Sequence, residues 1–435
     1  MHGKAHSHTP IFGMSWSPAS AALATLLTLL FLVLLLLFLT LTAQPAHAQT
    51  FQVIHDFTDG ADGALPDAGL IMDSQGNLYG TTYIGGTGCS PYGCGVVFQM
   101  SHNSSGWTLT TLYSFQGSPD GAGPDAAVFF GPDGNLYGTT TNGGVSPGCG
   151  TYPACGTVFS LRPPSSLSNN WTEAVLYRFK TRALDADQPF AQVVFDGAGN
   201  MYSTTPYGGS SRCQCGAVYK LTRSATGWKE SILYSFRDGT DGKWPFGGLA
   251  IDSAGNLYGT TSQGGATGLG TVFQLSPSGS GWTVTTLYSF QDQDGGQVNG
   301  SLVFDQCGNL YGATLYGGNG GGGTVFKLTP TSSGWVYAML YALVGNGGPG
   351  EQLTIDLAGN IYGTTAYDGA YSDGNVFKLS PSSDGWTYTS LYDFTGGTDG
   401  DLPISNVTLD ASGNLYGTTY SGGAHDEGVV WEITP

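Results

Sequence analysis

One heptapeptide constrains the fold of these 435 residues more than any other feature. Gly76-Asn77-Leu78-Tyr79-Gly80-Thr81-Thr82 returns, with small changes, at 134–140, 199–205, 255–261, 308–314, 359–365 and 413–419. Successive copies begin 51 to 65 residues apart. A repeat of that length marks a chain of supersecondary units, none of which can bury its own faces without neighbours.

Each unit reads as four short strands bounded by turn residues. In the first, residues 68–72 form a short apolar strand A. Residues 73–77 make a tight turn, where Asp73 and Asn77 bond their own backbone and Gly76 supplies a positive φ. Residues 78–82 are strand B, 95–100 strand C and 107–115 strand D. A Gly-rich loop joins B to C, and an Asp/Gly/Pro loop leads from D to the next A. Leu78 and Tyr79 point to opposite faces of strand B, as a strand sandwiched between two neighbours requires. With no helical period after residue 50, the chain is expected to be all-β, a seven-bladed β-propeller of four-stranded blades. A solenoid is the competing architecture. The chain ends favour the ring: the last unit stops after strand C at 428–431, and residues 51–57 have the pattern of a D strand. That N-terminal strand is expected to complete the last blade.

Residues 21–43 are uncharged and largely apolar, preceded by Lys4 and followed by Ala46-His47-Ala48, a small-x-small cleavage pattern. Residues 1–48 therefore read as a secretory signal peptide and 49–435 as a single propeller domain. The alternative is an uncleaved anchor, since about 20 apolar residues span a bilayer. Either reading puts 49–435 outside the cytoplasm, secreted or at the cell surface, with a membrane contact only if the leader is retained.

Beyond Lys4 the chain carries 31 acidic against 12 basic residues. Such a surface lacks the basic footprint that nucleic acids or anionic membranes require. The 71 glycines fall at fixed repeat positions, so they mark turns in a folded array. Only His55, His102 and His425 follow the leader, too few for a histidine-rich metal centre unless they converge.

The unit L-x-x-D-x-x-G-N-L-Y-G-T-T-x-x-G-G…G-T-V-F-x-L resembles the tandem repeat of the GloVer (Gloeobacter/Verrucomicrobia) family of exported bacterial proteins, over essentially all of 51–435. It is more distantly similar to NHL-like and periplasmic sensor propeller repeats, which share D-x-x-G-N-L-Y/W. The resemblance implies an exported repeat protein and carries no catalytic residues with it.

Alternating strand direction puts the D–A and B–C loops on one face of the ring, and function is expected there and at the mouth of the central channel. Three features fall on that face. The D–A loops are rich in aspartate: Asp59 and Asp62, Asp120, Asp185 and Asp187, Asp238 and Asp241, Asp292 and Asp294, Asp399 and Asp401. Oxygen ligands so spaced can hold Ca²⁺, while Asp-Gly is also the ordinary turn pair. Tyr83, Tyr207, Tyr316, Tyr367 and Tyr420 stand at the start of B–C loops, with Tyr92, Tyr152 and Tyr371 further in. They are candidates for stacking on sugar rings, against packing between loops. Trp107, Trp171, Trp228, Trp282, Trp335 and Trp386 open strand D at a fixed position and are expected in the blade cores. Cysteines pair within three B–C loops: Cys89 with Cys94, Cys149 with Cys155, and Cys213 close to Cys215, with Cys307 left over. Loop-stapling disulfides are expected for the first two pairs; metal binding is the alternative.

No nucleophile elbow, zincin helix or phosphate loop is present, so no catalytic residue is named. Two readings stand: a non-catalytic binding scaffold for a carbohydrate or cell-surface polymer, or a glycan-active hydrolase or lyase using loop-face carboxylates such as those beside His425. A protein–protein interaction module is the third.

Overall fold

The computed structural model describes residues 49–435 apart from 145–154, 166–169, 181–184, 210–212 and 346. Seven antiparallel sheets of four strands stand around a channel as the blades of a β-propeller. Blade 1 consists of Ile71–Met72, Leu78–Thr82, Val96–Asn103 and Gly106–Ser114, strands A to D from the channel outward. Blades 2 to 6 occupy residues 129–178, 194–235, 250–289, 303–344 and 354–393. Blade 7 takes its first three strands from Thr408–Leu409, Leu415–Thr419 and Val429–Thr434, and its fourth from Thr50–Asp56. Thr50 pairs with Thr434 and Asp56 with Val429, so the two ends of the propeller lie in one sheet.

The heptapeptide explains itself in this frame. The Asp73 carboxylate accepts from the Gln75 and Asn77 backbone N–H groups at 2.8 and 2.9 Å, from Asn77 Nδ2 at 2.8 Å and from the Tyr79 hydroxyl at 3.0 Å. Asp196, Asp252, Asp305, Asp356 and Asp410 repeat the arrangement. Burial pushes Asp73 up, but these donors outweigh it and hold the carboxyl below its ordinary range. Gly76 closes the turn at φ 83°. Gly80 answers a different need: a Cβ there would lie 2.6 Å from the ring of Phe98 on strand C. Strand B of blade 1 is buried throughout, as expected for the middle of a stack. Leu78 packs with Phe98 and with Val430 of blade 7, and Tyr79 with Leu136 and Phe159 of blade 2.

Six of the seven blades are also stitched to the next through a strand B threonine. Thr81 donates to the Ala126 carbonyl (3.2 Å), Thr139 to Ala191 (3.2 Å), Thr204 to Gly247 (2.8 Å), Thr260 to Gly300 (3.0 Å) and Thr364 to Ser405 (2.7 Å). Thr418 donates to Ala68 at 3.1 Å and closes the circle.

The tryptophans depart from the expectation of blade core. Each is half-buried, on a seam between blades. Trp107 lies edge-on to Tyr416 of blade 7 (5.7 Å), Trp171 to Tyr79 of blade 1 (6.3 Å), Trp282 to Tyr202 (6.2 Å) and Trp335 to Tyr258 (5.7 Å). The reason is their place at the end of the C–D hairpin, where Trp107 pairs with exposed His102 at the margin of the sheet. An indole with a polar edge suits such a boundary, and Trp107 Nε1 donates to Glu432 across the seam at 3.1 Å.

Candidate functional site at the channel mouth

The loop aspartates have a shared task. The last tyrosine of strand D donates its hydroxyl to a carboxylate in the following D–A loop: Tyr113 to Asp120 (2.6 Å), Tyr177 to Asp185 (3.4 Å), Tyr234 to Asp241 (2.7 Å), Tyr288 to Asp294, and Tyr392 to Asp399 (2.9 Å). His55 replaces the tyrosine in blade 7 and meets Asp62 at 3.1 Å. Asp238 pairs with Lys243 at 2.9 Å, while Asp59 and Asp292 are exposed. Among the described residues no three His, Cys, Asp or Glu side chains converge as a metal would need. The aspartates act as latches between strand D and its loop.

A different set of acids gathers at the channel. The residue just before strand A is Asp67 in blade 1, Asp125 in blade 2, Phe190 in blade 3 and Phe246 in blade 4. Asp125, Phe190 and Phe246 line the mouth together with Glu351 from blade 6. The Asp67 and Asp125 carboxyl groups lie close enough for each to influence the ionisation of the other. Asp67 and Asp125 are partly buried, and Glu351 is exposed where it lines the mouth. Burial raises Asp125 well above the usual carboxylate range, and the Asp67 charge adds to it. Burial raises Asp67 as well, against the opposing influence of neighbouring Asp125. Glu351 is pushed up to about 8, first by burial and then by Asp67. Phe190 and Phe246 form the other side of the mouth, edge to face at 5.7 Å.

One step deeper, Gln192, Ser301, Gln352 and Asn406 form a polar belt. Two of them are fixed to the neighbouring blade's backbone: Ser301 accepts from the Gly248 N–H at 2.7 Å, and Gln352 donates to the Leu302 carbonyl at 3.1 Å. Below the belt the channel widens to about 360 Å³ between apolar residues such as Ile71, Phe129, Val194 and Ile251.

Of the five candidate tyrosines, three reach the mouth. Tyr420 lies by Asp67, Asp125 and Tyr83, and burial followed by those charges raises its pKa. Tyr207 packs edge-on against Phe246 at 6.5 Å. Tyr316 and Tyr367 stand apart, about half exposed. His425 and Asp426 are solvent-exposed.

Cys89 and Cys94 are bridged, as expected, and so are Cys213 and Cys215. Cys149 and Tyr152 lie outside the described residues, so the bridge expected from Cys149 to Cys155 is not described. Cys307 is free and exposed.

The acids at the mouth escaped the sequence reading. Each follows an ordinary loop, and their meeting depends on ring closure. One signal pointed to them: aligned on the heptapeptide, the position before strand A holds Asp, Asp, Phe, Phe and Asn in blades 1 to 5, a column that varies where its neighbours repeat.

Comparison with known proteins gives the same architecture. The chain covers 40% of the extracellular domain of a protein assigned as a one-component system from B. thetaiotaomicron, over 88% of its own length, at 10% identity and a TM-score of 0.53. It covers 76% of a fungal alcohol oxidase of the AA5 family, solved in complex with copper, over 89% of its own length, at 13% identity and a TM-score of 0.55. At such identities the likeness is one of fold. No curated protein matches the sequence. The model of the Gloeobacter/Verrucomicrobia repeat matches residues 40–152 and 146–355, most of the propeller, and the chain belongs to that repeat family.

Proposed function

We propose that this is an exported, non-catalytic binding protein that takes a carbohydrate unit at the mouth of its channel. The observation that carries the reading is the two-sided mouth: Asp67, Asp125 and Glu351 on one side, Phe190 and Phe246 on the other. A sugar ring has an apolar face that packs on aromatic rings and a rim of hydroxyls that need donors and acceptors. A protonated carboxyl group donates and accepts, and an ionised one accepts. The leader sequence, the bridged loop cysteines and the extracellular setting of one structural neighbour support export.

A second reading, glycan cleavage, has its own support in Glu351, a carboxyl protonated near neutrality as a general acid must be.

The test applies the purified protein to a panel of plant, fungal and bacterial polysaccharides and scores retention and released product together. Retention without product, lost in Phe190→Ala/Phe246→Ala, is the expected outcome. Released product that vanishes in Glu351→Gln would establish the enzyme instead. Retention unaffected by the double substitution would move the site elsewhere, and no retention at all would favour a protein partner.

A further inference from the structure

The seam between blades 5 and 6 breaks the repeat in two ways. Ala313 stands where other blades present the threonine that donates to the next blade. The D–A loop after blade 5 also lacks the latch aspartate, its residues 344–350 being free of acid. Tyr341 occupies the register of Tyr288 and Tyr392, yet its hydroxyl has no hydrogen-bond partner among the described residues. Where the other blades hold a latch, this seam holds a hollow of about 270 Å³, lined by Tyr341, Tyr388, Asp368, Asn375, Ser390 and Asp393.

The lining is organised. Tyr341 and Tyr388 lie nearly parallel, 5.1 Å apart at 13°, and form one wall. Asn375 is 2% exposed at the first position of strand C, where blades 4 and 5 have threonine. Its longer side chain accepts from the Thr365 hydroxyl (2.8 Å) and donates to the Tyr388 hydroxyl (2.7 Å) and to Ser390 (3.2 Å). The Ser390 hydroxyl donates to Asp393 at 2.7 Å. Asp368 is held at the rim by the Gly369 N–H at 2.9 Å. This chain of bonds fixes the polar floor and leaves functional groups over. The Tyr341 hydroxyl keeps its proton to donate, as does that of Tyr388, which accepts from Asn375. The second oxygens of Asp368 and Asp393 remain as acceptors.

We propose that this hollow is a second binding site, distinct from the channel mouth, for one pyranose-sized polyol unit. Its size suits a single ring. Its tyrosine wall suits the ring's apolar face and edge, and two phenol donors beside two carboxylate acceptors match vicinal hydroxyls. The site does not depend on the reading of the channel mouth.

The test titrates methyl α-mannoside, methyl β-glucoside and methyl β-galactoside separately into the purified protein, followed by calorimetry and ligand-observed NMR. Binding of at least one glycoside is expected, weakened about tenfold in Tyr341→Phe, the loss of one hydrogen bond to a hydroxyl. Because that hydroxyl has no partner among the described residues, the melting temperature should stay unchanged, which separates lost binding from lost folding. Asn375→Thr, the residue of blades 4 and 5, should weaken binding as well. Absence of binding by all three glycosides, or binding unchanged in Tyr341→Phe, would each overturn the proposal. So would binding at the hollow by calcium alone without any glycoside.

Discussion

Two neighbouring seams, built from the same repeat, are held very differently. Between blades 4 and 5, Thr260 donates to the Gly300 carbonyl, Tyr288 latches onto Asp294, and Tyr337 stacks on Tyr288 at 4.0 Å while bonding the Asp294 carbonyl at 2.9 Å. Between blades 5 and 6 the threonine is Ala313, the latch is missing, and the corresponding stack of Tyr388 on Tyr341 opens to 5.1 Å. Both seams keep the apolar packing that makes a propeller, with Val325, Leu353 and Phe377 fully or nearly buried at the second. The difference therefore lies in polar stitching. A repeat protein can give up that layer at one joint without losing the ring, because nearest-neighbour burial supplies most of the interface energy. The vacated space is then available for something else.

The most severe test of this comparison removes the closing strand. Deleting Thr50–Asp56 strips a whole ladder from Val429–Thr434 and, by removing Phe51 and Val53, uncovers Tyr392, Phe394 and Trp431. At about 0.5–1.5 kcal/mol per hydrogen bond plus about 25 cal/mol per Å² of apolar surface, the loss should reach several kcal/mol and abolish the cooperative thermal transition. A ring that melts as before would mean that no seam limits its stability, and the contrast between seams would lose its meaning.

A smaller effect separates the two tyrosines directly. Tyr288→Phe removes a hydroxyl bonded to a carboxylate and should cost about 1.5–3 kcal/mol in denaturant unfolding. Tyr341→Phe should cost less than about 0.5 kcal/mol. Equal costs would break the comparison.

Repair should also work. Ala313→Thr restores the hydroxyl that five other blades aim at the neighbouring carbonyl and that Thr418 supplies at the closing seam. It should stabilise by about 1 kcal/mol, and Thr260→Ala should cost a similar amount. Hydrogen exchange at the amides of Leu310–Ala313 should slow in the repaired protein; unchanged exchange there would show that the seam was already closed.

The smallest effect concerns pH. Glu351 has its pKa raised from 4.5 to about 8, so the folded protein holds a proton that the unfolded chain releases. Its contribution is complete below pH 4.5 and fades as pH rises towards 8, so stability should fall slightly across that interval. The Asp73 class has depressed values and acts in the opposite sense, losing its contribution as pH drops below the ordinary aspartate range. Glu351→Gln should flatten the slope between pH 5 and 8 in thermal melts; an unaltered slope would assign it to the other raised carboxyls, Glu173, Asp187 and Glu230.

Much of this architecture was legible because it is local. The turn at Asp73, the positive φ of Gly76 and the alternation of Leu78 and Tyr79 are properties of one short stretch, and seven copies reinforce each other. Ring closure was legible because a strand was missing at one end and spare at the other. The tryptophans misled, since a fixed position within a hairpin says nothing about which neighbouring blade will cover it. The channel acids were hidden for the same reason: Asp67 and Asp125 lie 58 residues apart, and Glu351 is much further along the chain. The hollow beside Tyr341 was hidden differently. Its cause is a residue that is absent, which shows only when the partner of every other strand D tyrosine is known.

The closing strand has a consequence in time. Thr50 and Thr434 touch across 384 residues. A chain made from its N-terminus produces Thr50–Asp56 first, and the sheet it needs last. Six complete blades can form in order of appearance, each from contacts within about 60 residues, while this first strand waits with its edge unpaired. The final step is a single long-range closure, slow by the standards of the hairpins before it. An unpaired strand is a template for pairing with other chains. The molecule is thus exposed to misassociation for the whole of its synthesis, and whatever shields residues 50–56 in that interval decides how much of it reaches the closed ring.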